Sequence, residues 1–237
     1  MSAYVLVHGA WHGGWCWDKV AALLRAAGHT VATPDLPGHG QDRTPLADIT
    51  LDSYARRVAE TIDAQAGTVV LVGHSMGGMV ITQAAEWRPD RIRTLVYLTA
   101  FIPRDGESLS QLSMVDPDSL LNQNRVIDRE RGAMWVRPEA LRAVFYHDCS
   151  DEDAQCAERL LAPEIAIRPM TTALRITPEN FGRVPRAYIE CLQDRAIRLP
   201  TQRLMQANSP CEKVISMDTS HSPFLSAPAE LARLLDP

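Results

Sequence analysis

The chain has 237 residues, 46% of them apolar and 22% charged, with a formal net charge of -5. That length and apolar fraction predict one large domain, or a domain with an insertion, around a substantial core. The acidic balance and the lack of a gathered basic patch exclude a nucleic-acid partner. No stretch approaches the roughly 20 apolar residues of a membrane span, and the N-terminus has neither the basic nor the long apolar region of a secretory leader. The five cysteines (Cys16, Cys149, Cys156, Cys191 and Cys211) are scattered and form no C-x-x-C pair. This argues against a zinc or redox site and for reduced thiols in a cytoplasm.

Tyr4-Val5-Leu6-Val7 predicts a first short strand, followed by a glycine-rich loop, His8 to Trp15, whose backbone can approach a ligand closely. Apolar residues at Trp17, Val20, Ala21, Leu23 and Leu24 predict an amphipathic helix over 15–27, closed by Gly28. A strand over 29–33, a breaker-rich loop over 34–40, and a helix starting at Asp52 or Ser53 follow, with Gly67 as its stop. Val69-Val70-Leu71-Val72 reads as a buried strand, and Met79 to Ala85 resumes at helical spacing. After Pro89, residues 93–100 form another buried strand. Strands alternating with helices require a parallel sheet with helices on both faces.

From about Phe101 to Val184 the rhythm breaks. The stretch carries no convincing strand, and Pro138–Tyr146 and Asp151–Leu161 read as short helices. An insertion of this length is too long to be a loop, so it predicts a helical cap over 101–184, laid on an α/β core made of 1–100 and 185–237. The sheet resumes at Ala187–Leu192, a helix spans about 201–207, a last strand runs over Lys213–Met217, and Pro228–Leu235 closes the chain as a helix. The acidic run Asp148, Asp151, Glu152, Asp153 lacks the alternating ligands and turn glycine of a calcium loop and reads as a helix N-terminus instead.

Between the strand at 69–72 and the following helix stands Gly73-His74-Ser75-Met76-Gly77, a G-x-S-x-G in the strand–turn–helix context that gives the pattern its meaning. Gly73 and Gly77 leave room for a sharp turn that exposes the Ser75 hydroxyl. A serine needs a general base, most often histidine, and a carboxylate to fix the imidazole tautomer. Open α/β sheets build such sites where strands end. Asp194 follows one strand and His221 the last one, so the spacing predicts a triad of Ser75, Asp194 and His221. Asp105 and Asp218 compete for the acid role, and His39 and His147 for the base. His12 reads as a packed structural histidine, and His8 as the residue that orders its loop. An oxyanion hole would use the Met76 N–H and one from the early loop, Ala10 or Trp11, which spacing alone does not separate.

Three segments carry a resemblance to a known family: Val5 to Trp17, Gly73 to Gly78, and Asn180 to Ile189. They resemble the plant methylesterase and hydroxynitrile lyase family and related bacterial esterases, over nearly the whole chain. The resemblance implies an α/β-hydrolase fold with a helical cap and no cofactor or metal. It places the triad on Ser75, Asp194 and His221 and the oxyanion donors on Ala10 and Met76. The family's lyases carry threonine where Gly9 stands and lysine where Ser222 stands, so this chain sides with the esterases. The implied pocket is apolar, with Trp11, Met79, Trp135, Phe145 and Phe224 as candidates and Trp135 foremost. The expected activity is serine carboxylesterase action on small apolar aryl or methyl esters through an acyl-enzyme. Lactone or C–C bond hydrolysis, a biosynthetic tailoring step, or a non-catalytic small-ligand receptor would use the same scaffold. A homodimeric state is left open.

Overall fold

The computed structural model describes residues 1–236. Along them run strands β1 (Ala3–Val7), β2 (Thr30–Ala32), β3 (Val69–His74), β4 (Ile92–Leu98), β5 (Arg125–Asp128), β6 (Ala133–Val136), β7 (Ile165–Ala166), β8 (Arg186–Cys191) and β9 (Lys213–Met217). Six of them form one sheet in the order β2-β1-β3-β4-β8-β9, with every neighbouring pair parallel. The central strands are apolar on both faces because the sheet is covered on both. Strand alternation divides the core into two layers. Val5, Val7, Leu71, Leu95 and Tyr97 face one layer, which also holds residues of α2 (Leu51–Asp63) and α3 (Gly77–Trp87). Tyr4, Leu6, Val70, Val72 and Val96 face the other, with α1 (Asp18–Ala26) and the C-terminal helix Pro228–Leu235.

The helix starts differ slightly from the sequence pattern. A 3-10 turn, Gly14–Trp17, precedes α1, and Leu23 faces solvent rather than the core. The C-terminal glycine is as expected: Gly28 takes φ +90° and His29 N–H donates to the Leu24 carbonyl at 3.1 Å. Thr50, not Asp52 or Ser53, caps α2, in a reciprocal capping box with Ser53.

Between β4 and β8 the predicted helices occur as Leu141–Phe145 and Asp151–Leu160. The same stretch also holds a three-stranded antiparallel ladder, β5-β6-β7, where the sequence pattern predicted no strand. Its strands are two to four residues long, too short to display a period, and β7 arrives from a distant part of the chain. A tight turn joins β5 to β6, with Asp128 accepting from the Glu130 and Arg131 N–H groups and Gly132 at φ +66°.

This segment docks on the loops that follow the C-terminal ends of the core strands. Ala162 N–H donates to the Trp11 carbonyl at 2.7 Å, Ser119 Oγ to the Ala196 carbonyl at 2.8 Å, and Arg198 pairs with buried Asp116 at 3.0 Å. Its far end is held by Glu86 of α3, whose carboxylate accepts from Thr177, Asn180 and Phe181 at 2.8 to 3.1 Å. Among the described residues no helix is long and apolar enough to cross a membrane.

Under the strand ends lies a layer of buried histidines. His8 donates through Nδ1 to the Gly9 carbonyl and accepts the Leu36 N–H at Nε2, so it orders its loop as a neutral ring. His12 donates to the Ala10 carbonyl and accepts the Tyr146 hydroxyl, both within 2.9 Å. Burial holds the pKa of His12 down to about 3 and that of His39 to about 4. Burial also holds His8 and His74 well below the usual imidazole range, with repulsion from His39 and His221 respectively adding to it. The unfolded chain takes up protons at these rings near pH 6.5 while the folded chain does not, so stability is full above that value and falls as pH drops below it. Each fully excluded imidazole costs about 2 kcal/mol at pH 5, a large share of a typical folding free energy of roughly 5–15 kcal/mol. The urea midpoint is therefore expected to drop steeply between pH 7.5 and pH 5, before the carboxylates titrate. An unchanged midpoint over that interval contradicts the neutral layer.

Candidate active site

Ser75 sits between β3 and α3 with φ +54°, a backbone conformation that a non-glycine residue adopts only under constraint. Its N–H donates to the Leu98 carbonyl, and its own carbonyl accepts from Gly78 and Phe101. The turn closes because two neighbours lack side chains. A Cβ at Gly73 would lie 2.7 Å from the Gly77 carbonyl oxygen, and one at Gly77 would lie 2.9 Å from the carbonyl oxygens of Val7 and His8. The result puts Ser75 over the N-terminal end of α3, where helix dipoles favour developing negative charge.

Asp194 and His221 stand just past β8 and β9 and meet in the interior. His221 Nδ1 donates to Asp194 Oδ2 at 2.7 Å, and both side chains are buried. The other carboxylate oxygen accepts the N–H groups of Ala196 and Ile197 at 2.7 and 3.0 Å, and the Thr99 hydroxyl donates to Oδ2. Four donors therefore fix the carboxylate in place. The backbone carbonyl of His221 accepts His74 Nε2 at 2.8 Å, and the two rings lie 4.5 Å apart. No hydrogen bond joins Ser75 Oγ to the His221 ring among the described residues; the residue preceding the serine makes the link.

The competitors fall elsewhere. Asp218 is exposed and accepts from Gln193, and Asp105 accepts the Ile176 N–H at the surface. His39 is buried and donates to the Pro37 carbonyl, while His147 donates to the Gln193 carbonyl.

A cavity of about 30 Å³ adjoins Ser75. Ala10, Trp11, Ser75 and Met76 line it from the core side, and Phe101, Leu109, Met134 and Met170 supply apolar walls, with Ser113 and Arg125 as further polar lining. The backbone N–H groups of Ala10 and Met76 donate to no acceptor among the described residues. A larger surface cleft of about 570 Å³ between residues 38–46 and 159–164 shares no lining residue with this cavity.

Of the five expected pocket residues, only Trp11 lines the cavity. Its indole donates to the Met134 carbonyl at 3.3 Å, and its own φ is +62°. Trp135 does not line it, because β6 is a strand: Met134 turns inward and Trp135, half-exposed, turns the other way. Phe145 packs 5.6 Å from the His221 ring instead, Phe224 lies against His74 at 4.9 Å, and Met79 is in the α3 core layer.

Two contributors were not legible in the sequence. Thr99, at φ +36°, is strained in a way that only its contact with Asp194 explains, and no motif marks it. Asp148 lies before the helix cap Ser150, and its carboxylate accepts both the N–H, at 2.7 Å, and the hydroxyl of Ser220, next to His221. The non-glycine residues with positive φ among the described residues are Trp11, Ser75 and Thr99, and all three lie around this site.

Comparison with known proteins agrees with the fold. A model described as the alpha/beta hydrolase family matches residues 4–234. Methylesterase 9 of Arabidopsis thaliana is 34% identical over 99% of this chain and 97% of its own length. A carbendazim hydrolyzing esterase of Nocardioides is 52% identical over 115 residues, 47% of each chain. Among solved structures, a pyrethroid hydrolase from Sphingobium faniae aligns with a TM-score of 0.89 at 31% identity, covering 99% of this chain and 96% of that one. With the match running nearly end to end and the resemblance to plant methylesterases recovered, the chain belongs to the alpha/beta hydrolase family.

Proposed function

We propose that this chain is a carboxylic ester hydrolase acting through Ser75. The observation that carries the reading is a left-handed serine sharing one cavity with two unused backbone donors, while a buried Asp–His pair stands beside it. Ser75 Oγ attacks the ester carbonyl as His221 takes its proton. Asp194 orients the imidazole and stabilises the imidazolium. The Ala10 and Met76 N–H groups hold the oxyanion, each contributing on the order of 10²–10³ in rate. His221 returns the proton to the leaving alkoxide, and water, deprotonated by the same ring, then cleaves the acyl-enzyme. The serine–imidazole hydrogen bond tightens when the ester is bound.

The apolar cavity walls favour small apolar acyl or alkoxy groups, in keeping with relatives named methylesterase, pyrethroid hydrolase and carbendazim hydrolyzing esterase. In this reading residues 101–184 are the cap, and the five free cysteines fit a reducing compartment. Gly9 favours ester cleavage over the lyase chemistry of the wider family. A Cβ there would lie 2.8 Å from Ser75 Cβ and 2.9 Å from His74 Nδ1.

Ser75→Ala is expected to lower kcat on methyl butyrate by roughly 10⁴–10⁶-fold with an unchanged circular dichroism spectrum. Turnover near the wild-type rate rejects the assignment. Gly9→Thr, by displacing the elbow, is expected to lower kcat/KM on the same ester about 100-fold; an undiminished rate means that the loop absorbs the side chain without cost. Asp148→Ala frees the loop that carries His221, and kcat is expected to fall about tenfold with little change in KM, as steady-state kinetics would record.

A further inference from the structure

The cavity at Ser75 contains a cation that its surroundings leave unpaired. Arg125 opens β5, is half-buried, and lines the cavity together with Ser75 and Ser113. Its guanidinium makes one hydrogen bond among the described residues, from Nη1 to Ser113 Oγ at 3.3 Å. The Ser113 hydroxyl itself donates to the Ser110 carbonyl, which leaves a lone pair toward the arginine. No carboxylate lies within salt-bridge distance of Arg125 among the described residues. Arg198 and Arg203, neither of which lines the cavity, pair with Asp116 and Glu190. Burial holds the Arg125 pKa below the usual guanidinium value, a measure of how poorly the site solvates its charge.

Placing a guanidinium beside Phe101, Leu109, Met134 and Met170 without a counter-charge costs free energy unless something occupies its donors. An arginine presents five N–H groups in a planar fork that matches a carboxylate bidentately, and the low-dielectric cavity strengthens that pairing. Apolar pockets gain specificity from a small number of such groups.

We propose that Arg125 is a specificity-determining residue and that the preferred substrates are esters bearing a second, unesterified carboxylate. These are half-esters of dicarboxylic acids, or esters whose alcohol part is a hydroxy acid. The inference rests on Ser75 being the nucleophile. The free carboxylate docks on the guanidinium, the intervening chain packs on the methionine and leucine walls, and the ester carbonyl reaches Ser75. Hydrolysis proceeds by the acyl-enzyme route, with no further reactant than water.

The test compares charged and neutral esters of equal length. On the acyl side, monomethyl succinate, glutarate and adipate are set against methyl butyrate, valerate and hexanoate. On the alcohol side, the butyryl esters of glycolate, 3-hydroxypropanoate and 4-hydroxybutyrate are set against ethyl, propyl and butyl butyrate. Acid release is followed for the wild type, Arg125→Met and Arg125→Lys. In at least one charged series the wild type is expected to prefer the charged ester about tenfold or more in kcat/KM, with an optimum chain length. Arg125→Met is expected to lose 10- to 100-fold on that ester and less than threefold on its neutral counterpart, with Arg125→Lys between the two. A wild type with no preference for the charged ester in either series overturns the proposal. So does an Arg125→Met variant that loses equally on both kinds of ester. The neutral esters keep the two readings apart: if Ser75→Ala cleaves them as fast as the wild type, the serine assignment fails. If neutral esters are cleaved without charge preference, only the role of Arg125 fails.

Discussion

The site depends on holding one residue in a conformation it would not choose. Ser75 at φ +54° is compatible with the sheet only if β3, β1 and α3 approach within contact of each other's backbones. A left-handed serine costs of order 1–3 kcal/mol, and it persists because the turn is over-determined: its N–H, its carbonyl and the two flanking glycines each have one place to go. The same turn leaves the Met76 N–H without an acceptor among the described residues, so a single constraint brings both a buried serine and an unpaired donor to the cavity. Trp11 and Thr99 repeat the device on neighbouring loops, one shaping the cavity and the other aiming a hydroxyl at Asp194.

Electrostatics follow from the histidine layer. His8, His12, His39 and His74 are kept neutral by burial, so they place no like charge around the His221–Asp194 pair. The acceptor capacity that Asp194 does not spend on His221 is taken by Thr99, Ala196 and Ile197, which keeps it from turning toward another partner. His12 stacks on Trp15 and meets Phe145, Tyr146 and Phe224 edge-on, so the layer is at once a packing element and a dielectric one.

The parallel sheet was legible in the sequence because its strands are uninterrupted apolar runs separated by capped, periodic helices. Ser75, Asp194 and His221 were legible for the same reason, since each follows a strand that announces itself. The segment over 101–184 was not. Strands of two to four residues display no period, and β7 joins the ladder across two intervening helices, so its place there exists only through tertiary contact. As a tryptophan in that segment Trp135 is the foremost pocket candidate in the sequence, whereas the strand turns its neighbour Met134 to the cavity. Asp148 was absorbed into the acidic start of a helix, although it precedes the cap and reaches across to Ser220. A side chain whose partner is remote in sequence leaves no local trace.

The cavity beside Ser75, about 30 Å³, is walled jointly by the loops at the strand ends and by residues 101–184. Three contacts hold residues 101–184 against the neighbouring loops: Ala162 to Trp11, Trp11 to Met134, and Asp148 to Ser220. The last of these also steadies the loop bearing His221. The seating of that segment and the placement of the His221 ring are therefore coupled: a change that loosens residues 101–184 also loosens that imidazole.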